Sequence, residues 1–113
     1  MDTQPFLPLS EPVFFILLSL APGPQHGYAI MKETAVSSNG RVQLSTSTLY
    51  SAIKRLLEQG WIERAAAESG VANGRERKAY QLTEQGRRLL NAEINRLQSL
   101  VAAATQAEPG MIT

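Results

Sequence analysis

The 113-residue sequence has no cysteine, one histidine (His26), one aspartate (Asp2) and one tryptophan (Trp61). Without cysteine there is no disulfide, no thiol nucleophile and no thiolate metal ligand, and nothing calls for an oxidising compartment. A lone histidine with no cysteine beside it does not make a zinc ligand set. The sequence has no glycine-rich phosphate loop of the Walker or dinucleotide type, and no serine in a Gly-x-Ser-x-Gly elbow. Glutamate pairs such as Glu63 and Glu68 read more simply as solvated strand residues than as a general acid and base. No enzyme activity, cofactor or metal is therefore expected. The longest apolar stretch, Val13 to Ala21, is broken only by Ser19. It falls far short of the ~20 residues needed to cross a bilayer. The residues before it carry Asp2 and Glu11 and no basic side chain, which does not suit a signal peptide. The stretch reads as a core helix of a cytoplasmic protein with no membrane partner.

The length fits one domain, and an apolar fraction of 43% with 19% charged residues suits a folded chain. The net charge of +1 conceals an asymmetry. Residues 1–40 set Lys32 against Asp2, Glu11 and Glu33, whereas residues 41–88 hold nine basic and five acidic side chains. Residues 89–113 are again slightly acidic. A basic middle section is what a phosphate-contacting surface requires, provided that it falls on the right elements.

Residues 1–9, with Pro5 and Pro8, read as an extended arm. Ser10 or Glu11 is placed to cap a first helix with Pro12 in its first turn, where a missing N–H costs nothing. That helix, Val13 to Leu20, is apolar all round and needs cover on every side. A second helix is expected from His26 or Gly27 to about Val36, with Tyr28, Ile30 and Met31 as apolar positions and Ser37-Ser38-Asn39-Gly40 as its stop. A third begins after Ser45, buries Leu49, Ala52, Ile53, Leu56 and Leu57, and stops at Gly60. Two strands follow, Trp61 to Arg64 and Arg77 to Leu82, joined by a long tip that contains Asn73-Gly74. The last helix starts at Thr83 and runs to about Thr105. Its Leu90, Ile94, Leu97, Val101 and Ala104 form a short heptad seam that wants a partner. The fold class is mainly α with a small β-hairpin: a winged helix-turn-helix over 10–82 and a dimerisation helix over 83–105, with an arm at 1–9 and a tail at 106–113. A homodimer interface is expected from Phe14, Phe15, Leu18, Leu90, Ile94, Leu97, Val101 and Ala104.

This order of elements puts the basic section on the third helix and the hairpin. Such a helix enters the major groove of double-stranded DNA, and the hairpin lies along the backbone or the adjoining minor groove. The first turn offers the hydroxyls of Ser45, Thr46, Ser47 and Thr48 beside free N–H groups. Phosphate contacts are expected from these and from Lys54, Arg75, Arg77 and Lys78, with Tyr50 as a further backbone contact. Ser47, Ser51 and Arg55 are the candidates for base reading. Each residue also has a plain structural role as cap, core edge or solvated face, and what favours DNA is their fall on two elements of one architecture. The rival is a winged-helix module that binds protein and not DNA.

The sequence also resembles the PadR-like regulators. The resemblance rests on His26-Gly27-Tyr28-Ala29-Ile30, on Ser45 to Tyr50 followed by Ala52 to Leu56 and Glu58 to Ile62, and on Gly74 to Lys78 with Tyr80, Leu82-Thr83 and Gly86. It covers roughly residues 9 to 105. It implies a homodimeric repressor of a pseudo-palindromic operator, of the compact branch with a single short C-terminal helix. Some members of that branch bind flat apolar drugs between subunits. By that analogy a small apolar effector would meet Phe14, Phe15, Leu97 and Val101. The last helix here has no aromatic residue, so weak binding of flat cationic drugs is expected. Thr46-Ser47 stands where the family often has Pro-Gly, and Glu76 where a proline is common.

Overall fold

The computed structural model describes residues 6–66, 70–72 and 75–107. Ser10 caps α1 (Glu11–Ser19) by accepting from the Val13 amide, with proline in the first turn. Ile16, Leu17 and Leu20 of this segment are fully buried. Ser19 is buried too, and its hydroxyl donates to the Ile16 carbonyl at 2.6 Å, which satisfies that polar group within the core. A two-residue strand, β1 (Gln25–His26), leads directly into α2 (Gly27–Ser37). The expected turn cluster ends that helix: the Ser38 hydroxyl accepts from the Val42 amide at 2.9 Å and ties down the loop. Asn39 and Gly40 both take positive φ there.

Ser45 caps α3 (Thr46–Glu58) by accepting from the Thr48 amide. Leu49, Ile53 and Leu56 form its buried face. After Gly60 the chain enters β2 (Ile62–Arg64), β3 (Gly70–Ala72), β4 (Arg75–Arg77) and β5 (Ala79–Leu82). β5 is the middle strand of a three-stranded antiparallel sheet in the order β1-β5-β2. Ile62 faces Leu82 and Glu63 faces Gln81 in the β2–β5 register, and the Gln81 amide donates to Glu63 at 2.8 Å. β3 and β4 form a separate two-stranded ribbon, with Gly70 opposite Arg77 and Ala72 opposite Arg75. Lys78, between β4 and β5, belongs to neither strand.

α4 (Glu84–Ala107) begins at a tight junction. The Thr83 hydroxyl donates to the Gly60 carbonyl at 2.6 Å and accepts from the Gly86 amide at 2.9 Å. A side chain at Gly86 would fall on the Trp61 carbonyl, so only glycine lets the helix pack this close. The core joins Ile16, Leu17, Leu20, Ile30, Leu49, Ile53, Leu56, Trp61, Ile62, Tyr80, Leu82, Leu89 and Leu90. Three helices, a sheet-based wing and a long trailing helix make a winged helix-turn-helix with a C-terminal helix. Among the described residues no helix is long and apolar enough to cross a membrane.

Several details differ from the sequence reading. β1 has no alternation to announce it and exists because β5 offers an edge. The expected strand from Arg77 to Leu82 is two strands broken at Lys78, and the long tip is itself a ribbon. Tyr28, expected as an apolar position of α2, is 72% exposed. The C-terminal seam divides: Leu90 is buried in the chain's own core, whereas Leu97 and Val101 are exposed. Residues 1–5 of the arm, Asn73-Gly74 at the tip and residues 108–113 of the tail lie outside the described residues.

Candidate nucleic-acid interface

Helical geometry sorts the α3 side chains. At 100° per residue, Ser47, Ser51, Lys54 and Glu58 stand opposite the buried Leu49, Ile53 and Leu56. All four are exposed. Arg55 and Thr48 fall on one flank, also exposed, and Tyr50 on the other. Within the first turn the Ser45 hydroxyl, which accepts from the Thr48 amide at 3.2 Å, also donates to the Thr48 hydroxyl at 2.9 Å. Ser47 lies 3.3 Å from the Ser45 hydroxyl. Thr46, Ser47 and Thr48 keep exposed side chains at the helix N-terminus, where the macrodipole favours an anion.

Tyr50 is 47% exposed. Its ring lies over the first residue of α2, so that a Cβ at Gly27 would sit 2.5 Å from the Tyr50 hydroxyl. Gly27 therefore serves as the seat for the tyrosine, holding the N-termini of α2 and α3 together. Tyr28, next in the chain, points out to solvent, as does Lys32 one turn later. Sequence reading missed both. The signal available was their i, i+4 spacing, which sets them on one face, away from Ile30.

The basic residues differ in whether the chain itself neutralises them. Arg41 pairs with Glu11 at 2.8 Å, Arg88 with Glu84 at 2.8 Å and Arg96 with Glu93 at 2.5 Å. Arg87 reaches the Ala21 carbonyl at 3.5 Å. Lys54, Arg55, Arg77 and Lys78 are exposed and have no acidic partner among the described residues. Lys32 shares that state and adds a cation beside Tyr28. Two of the four stand on α3, Arg77 ends β4 and Lys78 follows it, while Arg75 opens β4. The apolar candidates are placed elsewhere: Phe14 and Phe15 stack edge-to-face at 5.3 Å on α1, and Leu97 and Val101 lie exposed on the distal half of α4. Phe15, Leu18, Ile94 and Ala104 are half-buried.

A groove of about 570 Å³ runs along the Arg55 flank of α3. It lies between that helix, the first turn of α1, Leu44 and Trp61. Phe14, Phe15, Leu97 and Val101 do not line it.

The fold has many solved counterparts. A transcriptional regulator from Clostridium thermocellum superposes with a TM-score of 0.65 at 22% identity, covering 90% of each chain. A PadR family transcription regulator from Clostridium difficile gives 0.69 at 23% identity over 86% of this chain and 97% of its own. Bacillus subtilis PadR, solved in complex with operator DNA, gives 0.63 at 24% identity over 73% of this chain and 45% of its own. No curated protein sequence matches significantly. The model of the transcriptional regulator PadR-like family matches residues 16–92, from the buried face of α1 through the core half of α4. With more than half its length so matched, and each core element in place, the chain belongs to the PadR-like family of transcriptional regulators.

Proposed function

We propose that the protein is a cytoplasmic, homodimeric DNA-binding regulator, a repressor that reads a pseudo-palindromic operator through α3 and grips the backbone with its wing. The observation that carries this reading is the distribution of cations with no acidic partner among the described residues. Arg41, Arg88 and Arg96 are tied to acids and Arg87 to a carbonyl, while Lys54, Arg55, Arg77 and Lys78 are left open to solvent on α3 and the wing. Bacillus subtilis PadR, of like fold, was solved with operator DNA, which supports a DNA partner for this fold.

Roles follow from position. Ser47 and Ser51 on the outward face, with Arg55 on its edge, read bases. Lys54, Arg75, Arg77, Lys78, Tyr50 and the hydroxyls of Ser45, Thr46 and Thr48 hold phosphates. Tyr28 and Lys32 extend the backbone contact along α2. Each phosphate contact contributes about 0.9 to the slope of log affinity against log salt. Loss of a base reader relaxes preference at one position and costs ~1–3 kcal/mol there. The test is a salt series on wild type, Arg77→Ala and Arg55→Ala against a selected operator and a scrambled duplex. Arg77→Ala should weaken both duplexes alike and flatten the slope, whereas Arg55→Ala should narrow the gap between them. Salt-insensitive binding by wild type, or variants indistinguishable from it on both duplexes, would replace DNA with a protein partner.

A further inference from the structure

The last buried residue of α4 is a glutamate. The helix is buried at Gly86, Leu89, Leu90 and Glu93, and every later residue of it is half-buried or exposed. One Glu93 carboxylate oxygen accepts from the Leu9 amide at 2.8 Å and from Arg96 Nη2 at 3.2 Å, and the other accepts from Arg96 Nε. Arg96 belongs to the same helix, so the Leu9 bond is the one that ties the carboxylate to another element. Leu9 directly precedes Ser10, the cap of α1, and packs with Leu7 against the core. Phe6 meets Trp61 edge-to-face at 5.3 Å, where α3 gives way to the wing. The arm thus spans from α4 to the root of the wing.

A methionine at this position would fill similar space without the cost of desolvating a charge. What the carboxylate adds is direction: apolar burial is non-directional, whereas a hydrogen bond weakens steeply off its axis. Gly86, closed on the Trp61 carbonyl, and Glu93 are seven residues apart. They stand on one face of α4, about 10 Å apart along its axis. Two fixed points on one face set the direction in which a helix leaves. We propose that Glu93 is a positioning residue: through Leu9 it fixes the tilt of α4 against the winged unit. It thereby sets the separation of the two α3 helices and the half-site spacing that the dimer accepts. This inference rests on the proposed reading of a dimer joined through the distal half of α4, in which Glu93 itself touches no DNA.

The chain has no cysteine, so Glu58→Cys, at the exposed end of α3, takes one nitroxide label per subunit. Double electron–electron resonance then reads the distance between the two α3 helices with no DNA present. The distribution should be narrow in the otherwise unchanged protein. Glu93→Met, which offers Leu9 no acceptor, should widen it about twofold or more. Glu93→Gln should keep it narrow, because the amide oxygen still accepts from Leu9 while Arg96, 34% exposed, turns to water. Both substitutions remove the charge, so a loss of stability alone would move them together. Phe6→Ala, at an exposed position, loosens the same arm without touching α4 and should also broaden the distribution, which keeps the test open if Glu93→Met does not fold. In a second arm with unlabelled protein, the half-sites of a selected duplex are moved apart by about two base pairs. Wild type and Glu93→Gln should lose about tenfold or more in affinity and Glu93→Met less than about threefold. A single half-site should bind all three proteins equally. A narrow distribution in both Glu93→Met and Phe6→Ala, a Glu93→Gln as broad as Glu93→Met, or a Glu93→Met weakened on the single half-site would each overturn the positioning role. Labels without dipolar coupling overturn the dimer and the positioning role with it. A distribution that broadens as expected in a protein that selects no duplex overturns the DNA reading and leaves the tilt set by Glu93 standing.

Discussion

Thr83 joins wing and helix through one hydroxyl, which donates to the Gly60 carbonyl and accepts from the Gly86 amide. Valine in its place keeps the shape and loses both bonds, so Thr83→Val should cost about 1–2 kcal/mol in urea unfolding, while Thr83→Ser should stay close to wild type. Glu93 makes a stronger local demand. It is 2% exposed, accepts from the Leu9 amide at 2.8 Å and is held by both Nε and Nη2 of Arg96. The hydrogen bond from Arg96 lowers its pKa, burial opposes that, and the Leu9 amide adds to the lowering. A folded-state pKa below that of the unfolded chain gives stability that is complete above the ordinary carboxylate range. That stability is lost as pH falls through the depressed value. Glu93→Gln should therefore unfold about 1–3 kcal/mol more easily at neutral pH. The gap to wild type should close in acid, as urea midpoints taken across the acid range would show. A gap that persists unchanged below the carboxylate range would mean that the charge is irrelevant and only shape matters.

At the scale of elements, the helices are legible in the sequence because their ends are chemical. Ser10, Ser45 and Thr83 each put a hydroxyl at a helix start, and the buried rows of α3 recur at helical spacing. The residues proposed to face DNA on α3 can be named for the same reason, since a helix fixes which side chains oppose its core. What the sequence hides depends on contacts between distant segments. β1 is two residues long and exists only through Tyr80 and Ala79 across from it. Tyr28 reads as apolar in a row with Ile30 and Met31, yet it stands in solvent, while Tyr50 takes the space over Gly27. The groove beside α3 needs Val13 and Trp61 brought together from distant parts of the sequence. The seam of α4 reads as one stripe, but Leu90 is 2% and Leu97 38% exposed. The two should respond differently to charge. Leu90→Asp puts an unpaired carboxylate in the core and should unfold the protein, at about 3–5 kcal/mol. Leu97→Asp should keep native far-UV circular dichroism and thermal cooperativity while light scattering records a monomer in place of the expected dimer.

At the scale of the molecule, charge and shape point in one direction. The described chain measures 57 × 33 × 22 Å, and α4, with 24 residues, is about 36 Å long at 1.5 Å per residue. Its distal half carries Leu97, Leu100 and Val101 exposed, well along the helix from the wing junction at Thr83. Pairing two such helices about a twofold axis would bury that surface and fix two α3 helices at one separation. Readers set by a rigid dimer suit half-sites one helical turn apart, ~34 Å. Inserting about half a turn of DNA between half-sites places the second on the opposite face, out of reach of the second reader. Affinity should then drop to that of a single half-site, a loss of about 10²-fold or more, since linked binding gains that much from effective concentration. Leu97→Asp should bind with single-site affinity whatever the spacing, because it has one reader to place. Fluorescence anisotropy on the two spacings with the two proteins separates the cases. Wild type that tolerates the half-turn insertion would show that its readers are not fixed by α4, and the distal apolar surface would then need another partner.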